Sequence, residues 1–211
     1  MKKLSYLLMF TAMGFTFASC KTSNSTPKIA NSIPSVDVAT VKNYPLADTV
    51  LKYSMKGITH LNLTEKMGEL GNEIASNIGG SASVFQLGEG VVVSLDRGNV
   101  FEIGKADLNS NTKAILGGLA YNLMQNPDNY VVVFGRTDNS GSKGLNEKLG
   151  YLRGATVANH MAGSGIPQDR FFIQTLGETY PDFFNNSKMG RNKNRRVDIL
   201  IIPSNELRTS L

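Results

Sequence analysis

The sequence predicts an α/β sandwich, a sheet covered by helices, and three observations carry that expectation. Tyr130-Val131-Val132-Val133-Phe134 is a continuous apolar run, the pattern of a strand inside a sheet flanked by helices. Apolar residues recur at helical spacing on both sides of it, within about 109–125 and 144–162. Short β-prone runs lie beyond these, at Ser83 to Leu87, Val91 to Leu95, Phe171 to Leu176 and Arg196 to Ile202.

The chain opens with Met1-Lys2-Lys3, an apolar run from Leu4 to Phe17, and then Ala18-Ser19-Cys20, which reads as a bacterial signal peptide. A lasting membrane span takes roughly 20 apolar residues, and the polar stretch Lys21 to Pro27 ends this run too early. Cys20 is the only cysteine, so no disulfide within the chain is possible. Small residues directly before it resemble the lipobox of bacterial lipoproteins, which implies lipidation of Cys20 and a mature chain that begins there. Residues 21 to about 35 are rich in Ser, Thr, Asn and Pro without apolar periodicity and read as a flexible tether. Stretched out, it would reach on the order of 50 Å.

Between Val36 and Tyr53 the runs Val36-Asp37-Val38 and Thr49-Val50-Leu51 look β-like but find no place in the pattern. Leu63, Met67, Leu70, Ile74 and Ile78 then mark one amphipathic helix, with Asn62 and Glu65 as its capping pair and Gly79-Gly80 as its stop. Gly88-Glu89-Gly90 turns one strand into the next. A second helix buries Ile115, Leu116, Leu119 and Leu123 and stops before Pro127. The third, Gly144 to Ala162, is expected to turn Leu145, Leu149 and Leu152 inward and to end at Gly163-Ser164-Gly165.

A hydrophobic fraction of 41% allows one well-cored domain. Formal charge is +5, and loss of Lys2 and Lys3 leaves 20 basic against 17 acidic residues, a balance of +3 spread along the chain. That excludes nucleic acid as the favoured partner. Catalysis lacks its parts: the histidines are His60 and His160 alone, no thiol exists beyond Cys20, and no metal-ligand spacing occurs. Ser140-Gly141-Ser142-Lys143 is out of register with Gly135 for a phosphate loop. No cofactor and no metal are expected.

The residues that point to binding lie after the central strand. In Gly135-Arg136-Thr137-Asp138-Asn139-Ser140-Gly141 the short polar side chains are able to cap their own turn. In the helix that follows, Asn146 and Arg153 are seven residues apart, within roughly 20 degrees around the axis. Folding the turn back over this helix would bring Asp138, Arg153 and backbone N–H groups into one concavity suited to a zwitterion. Both charged side chains are expected at the surface.

These segments resemble the OmpA-like peptidoglycan-binding domain, as found in OmpA and MotB C-terminal regions and in Pal- and YiaD-like lipoproteins. The likeness covers about residues 90 to 202. It is carried by Phe101-Glu102-Ile103-Gly104-Lys105-Ala106-Asp107-Leu108, the turn from Thr137 to Gly141, Asn146-Glu147-Lys148-Leu149 with Arg153, Gly165-Ile166-Pro167, Gly177-Glu178 with Pro181, and Asn194-Arg195-Arg196-Val197-Asp198-Ile199. The resemblance implies a βαβαβ-type domain, a mixed sheet with helices packed on one face. It implies non-covalent binding of diaminopimelate in the peptidoglycan stem peptide, with Asp138 on the amino group, Arg153 on the carboxylate, and Asn146 and Thr137 orienting ligand or loop. An outer-membrane lipoprotein facing the periplasm is the form it implies, with Lys21 after the cysteine in keeping with that sorting.

The chain departs from the family pattern at Arg136, where histidine is usual, and at Gly150 and Gly154, which flank Arg153 in place of Ser and Ala. Arg136 would add positive charge near the pocket. Of Arg195 and Arg196, one would face the groove, with Arg196 the choice for the site, or the pair is a charged edge that discourages aggregation. Phe183 and Phe184 in the polar loop 182–193 either stack on sugar or cover a helix. The implied layout is a signal peptide over 1–19, a lipidated tether over 20–35, an N-terminal extension with one amphipathic helix over 36–80, the domain over 81–203 and a C-terminal tail over 204–211. The extension is where an envelope protein partner, as in a Tol–Pal-like assembly, would dock.

Overall fold

A computed structural model of the chain describes residues 33–37, 45–98 and 100–211. The signal segment, Cys20 and all but the last three residues of the expected tether lie outside the described residues. Those last residues are held: Ile33 N donates to Asn72 Oδ1 at 2.8 Å, and Ser35–Val36 forms strand β1.

The order continues with α1 (Pro45–Tyr53), α2 (Ile58–Asn77), β2 (Ser83–Leu87), β3 (Gly90–Ser94), α3 (Ser110–Gln125), β4 (Asn129–Arg136) and α4 (Lys143–Gly163). After a 3-10 turn come β5 (Phe171–Gly177), α5 (Lys188–Asn194), β6 (Val197–Pro203) and α6 (Asn205–Ser210). One six-stranded sheet forms in the order β1-β2-β3-β6-β4-β5. The outer pairs β1–β2 and β4–β5 are parallel and the rest antiparallel, so the sheet is mixed, as predicted. β6 is buried along its whole length and β4 along nearly all of it, which is why both read as unbroken apolar runs.

Strand alternation divides the core in two. On one face α2, α3 and α4 place Met67, Ile74, Leu116, Leu119, Val157 and Met161 against Val91, Val131, Val133, Ile199 and Ile201. The other face is not bare: α1 sets Leu46, Ala47 and Val50 on Val92, Val132, Phe134, Leu200 and Ile202. Thr49-Val50-Leu51 is therefore helix and not strand. Pro45 occupies the first helical position, where its missing N–H is no loss.

Three further expectations are corrected. α2 begins four residues before Asn62, with Gly57 at its N-cap in a left-handed conformation (φ 71°). Residues 205–210 form a helix capped by Ser204, with Leu207 buried and Arg208 Nη1 donating to Glu89 Oε2 at 2.6 Å. The polar loop 182–193 runs into α5, whose N-cap Ser187 accepts from Gly190 N at 3.0 Å.

The largest correction concerns α4. Leu145 and Leu152 are 64% and 55% exposed, and the inward face is Asn146, Gly150, Arg153, Gly154 and Val157. The cause is the glycines. A Cβ on Gly135 of β4 would fall 1.7 Å from the carbonyl oxygen of Gly150, and one on Gly150 would fall 2.3 Å from Thr175 Oγ1. Helix and strand touch backbone to backbone there, at a separation no leucine could occupy.

Beyond this contact lies an interior charge cluster. Asp198 of β6 accepts from Ser94 Oγ at 2.6 Å, from Arg196 Nε at 3.0 Å and from Arg136 Nε. Arg136 Nη1 reaches the Tyr180 carbonyl at 2.7 Å, and Arg196 Nη2 reaches Asp182. The side chain of Arg136 is thus taken up inside the fold and adds no charge at the surface. Burial pushes the Asp198 carboxyl up, but Arg196, Arg136 and the Ser94 hydroxyl together outweigh it and leave the pKa at about 2.

Gly135→Ala is expected to cost about 3 kcal/mol or more, since backbone cannot move aside like a flexible side chain. Gly117→Ala on the exposed side of α3, where nothing lies within 4 Å, is expected to add about 0.5–1 kcal/mol. Urea unfolding midpoints check both, and similar midpoints for the two variants would remove the close contact as the constraint. The depressed Asp198 pKa gives a second expectation with a definite sign. An unfolded aspartate titrates near 3.9, so this carboxylate contributes stability that is fully present above about pH 4 and is lost as pH falls toward about 2. Unfolding measured from pH 5 to 2 should show that loss, and Asp198→Asn should flatten it.

Candidate functional site

β4 ends at Arg136, and the chain turns through Thr137 to Gly141 before α4 begins. Thr137 N donates to the Gly177 carbonyl at 2.8 Å, which extends the pairing with β5 and fixes where the turn leaves the sheet. Asp138 Oδ1 then accepts from Ser140 N at 2.9 Å, an aspartate capping its own turn. Asp138 Oδ2 accepts from Arg195 Nη1 at 2.6 Å. Burial raises the pKa of this carboxyl, but the Ser140 N–H and the Arg195 guanidinium more than offset it, and the net shift is downward.

Arg153 sits on the face of α4 that Gly150 and Gly154 press against the sheet. It is 0% exposed and Asp138 is 4% exposed, so the expectation of two surface side chains is corrected. The Arg153 guanidinium donates to three backbone carbonyls, Lys105 (3.0 Å), Arg136 (3.0 Å) and Glu102 (3.2 Å). It also lies 4.8 Å from the centre of the Phe101 ring. Burial first, and then the neighbouring Arg195, lower its pKa to about 10, with Asp138 opposing. It remains a cation at neutral pH.

Among the described residues no carboxylate comes within 4 Å of Arg153. Asn146, buried on the same face about two turns earlier, donates through Nδ2 to Glu178 Oε2 at 2.6 Å. Two buried polar atoms beside Asp138 lack a hydrogen-bond partner, Thr137 Oγ1 and Arg195 Nε.

Four of the five predicted binding residues, Thr137, Asp138, Asn146 and Arg153, therefore gather where β4 passes into α4. Arg196 does not join them. It is turned into the cluster with Asp198 and Asp182, and Arg195 is the arginine that meets Asp138. The period-two rule carried the signal, since Arg196 and Asp198 are two residues apart and share a side of the strand. Glu178 and Phe101 entered the sequence reading only as parts of a motif. Phe183 lies under Lys193 and Arg196, at 4.7 Å and 5.6 Å, while Phe184 is exposed. Ser164 Oγ donates to the backbone carbonyl of His160, so that pair has no nucleophile-and-base geometry.

Residues 100–195 match the family model described as the OmpA family. The probable lipoprotein YiaD of Escherichia coli (strain K12) is 30% identical over 125 residues, 59% of this chain and 57% of YiaD. The peptidoglycan-binding protein ArfA of Mycobacterium tuberculosis (strain ATCC 25618 / H37Rv) is 38% identical over 87 residues, 41% of this chain and 27% of ArfA. The chain thus spans less than two thirds of the length of these curated relatives. Among solved structures, a putative MotB-like protein from Desulfovibrio vulgaris superposes with a TM-score of 0.61 at 21% identity, over 69% of this chain and 96% of the other, a likeness of fold. The capped turn after β4 and the arginine of α4 both lie within the matched stretch, and residues 100–195 are an OmpA-like domain.

Proposed function

We propose that this chain is a lipid-anchored envelope protein whose OmpA-like domain binds peptidoglycan without catalysis, at the diaminopimelate of the stem peptide, and so ties the outer membrane to the wall. The observation that carries this reading is the state of Arg153. Its charge is buried and touches no carboxylate, and its three hydrogen bonds leave two of five N–H donors uncommitted. A buried cation held by neutral carbonyls is a receptor for an anion. The side-chain carboxylate of diaminopimelate supplies one, in the two-pronged geometry a guanidinium favours. Thr137 and Asn146 line the approach, and Arg196 supports the wall from behind through Asp182 and Asp198. ArfA, named as a peptidoglycan-binding protein, and YiaD, named as a probable lipoprotein, support the same reading.

Three measurements test it. Cys20→Ser should move the protein from the membrane to the soluble fraction, and an unmodified N-terminal thiol in the intact mass of the native protein would refute the anchor. Peptidoglycan fragments carrying lysine at the stem position lack the carboxylate and should bind at least about tenfold more weakly than diaminopimelate fragments, a difference of about 1.4 kcal/mol. Arg153→Ala and Asp138→Ala should abolish retention on purified sacculi. Both side chains are buried, so each variant should also lose about 3–5 kcal/mol of stability, and retention is compared at a temperature where each is still folded. Equal affinity for the lysine and diaminopimelate fragments, or unchanged retention of the folded variants, would overturn the site.

A further inference from the structure

We propose that the outer edge of β5 is a self-pairing surface, through which two copies of this chain join antiparallel about a twofold axis at Gln174. This goes beyond the binding reading and involves no ligand.

The sheet has two outer strands, and they are protected unequally. β1 has two residues, too short to template another strand. β5 has seven, Phe171–Gly177, none of them charged and none proline. It pairs with β4 on one side, and among the described residues no strand meets the other. The register shift in the β4–β5 ladder falls at its far end, after Gly135. There too the Leu176 carbonyl accepts from Thr179 N at 2.9 Å, which closes the open stretch. Edges of this length are ordinarily guarded by lysine, proline or a bulge along the strand. Before its last residues β5 carries no such guard, and its outward N–H and C=O groups are left to pair with another strand.

Both faces of this edge present apolar side chains. On the face opposite α4, Phe172 is 49% exposed and packs edge-on against Tyr130, with ring centres 5.6 Å apart. On the other face α4 lies along β5, where Thr175 Oγ1 donates to the Glu147 carbonyl at 3.0 Å. Tyr151, four residues on and so on the same side of the helix as Glu147, is half-exposed, as is its neighbour Leu152. Apolar surface in line with an open strand edge marks an interface built by strand addition.

The occupant that fits is a second copy. Gln174 is the middle residue of the strand, and its exposed amide both donates and accepts. Antiparallel pairing centred there sets Phe172 against the partner's Leu176 and Ile173 against the partner's Thr175, and brings no like charges together. A twofold interface requires this self-complementarity. Thr137 N meets the Gly177 carbonyl at the C-terminal end of β5, so the pair carries its two candidate sites at opposite ends of the joined strands. Under the proposed function such a pair would grip the wall at two points.

The test is the mass of the full chain in mild detergent, measured by sedimentation, with charges placed at the axis. The unaltered chain should sediment as a dimer at micromolar concentration. Gln174→Lys sets two ammonium groups opposite each other and Gln174→Glu two carboxylates, and each should weaken dimerisation at least about tenfold. Mixing the two variants should restore the dimer, which a fault in folding would not allow. Gln174→Cys should also link chains under mild oxidation, since opposed residues of an antiparallel pair stand about 4.5–5.5 Å apart; Lys113→Cys, exposed on α3, is the comparison. A monomeric unaltered chain, a dimer that neither charge weakens, no recovery on mixing, or linkage no greater than that of Lys113→Cys would each overturn the proposal. Because no ligand enters these measurements, their failure leaves the proposed function standing.

Discussion

The backbone contact between Gly135 and Gly150 is the constraint on which the site depends. Most helices rest on a sheet through a layer of side chains, roughly 10 Å deep. α4 has no such layer over β4, because a single Cβ on Gly135 would fall 1.7 Å from the Gly150 carbonyl oxygen. Drawing the helix in carries Arg153 below the surface and into reach of the carbonyl of Arg136, the last residue of β4. The same approach sends Leu145 and Leu152 outward. Gly150 and Gly154, which weaken the helix in isolation, are therefore what let it seat its arginine against the sheet.

Burial then decides the character of the charges. Asp198 and Arg153 are both inaccessible to water, yet they are stabilised in opposite ways. Asp198 is met by two guanidiniums and a hydroxyl, so its charge is answered inside the chain. Arg153 is met by neutral dipoles and an aromatic ring, so its charge is solvated but not cancelled. The Asp198 cluster is compensated within the fold, and the Arg153 charge is not.

Where apolar periodicity is strong, the sequence predicted the structure well: α3 buries Ile115, Leu116, Leu119 and Leu123 as its spacing requires, and β4 and β6 are the interior strands. α1 was missed because Val50 and its neighbours are β-prone while the helical spacing of Leu46, Ala47 and Val50 is short. α4 was placed correctly and rotated wrongly, since leucines point to a core only when room exists for them. That Thr137, Asp138, Asn146 and Arg153 gather at one place was legible as a motif. Their burial was not, because it follows from how closely α4 packs on β4 at Gly135 and Gly150, a tertiary approach that neither segment's own pattern shows. Choosing Arg196 over Arg195 reflects the same limit: the two differ by one position just before β6, and Arg196 is turned to the side of Asp198.

The attachment of β1 bears on how the molecule would carry load. Only Ser35 and Val36 pair with β2, assisted by the Pro34 and Val36 carbonyls accepting from Gln86 and Gly88 and by the single Ile33 contact to Asn72. Tension entering from the N-terminal side, with the turn after β4 held fast, would meet this two-residue strand first. The sheet from β2 to β5, tied by long ladders, lies behind it. A two-residue strand in front of a longer-laddered sheet would part before that sheet does, leaving the turn after β4 and Arg153 undisturbed.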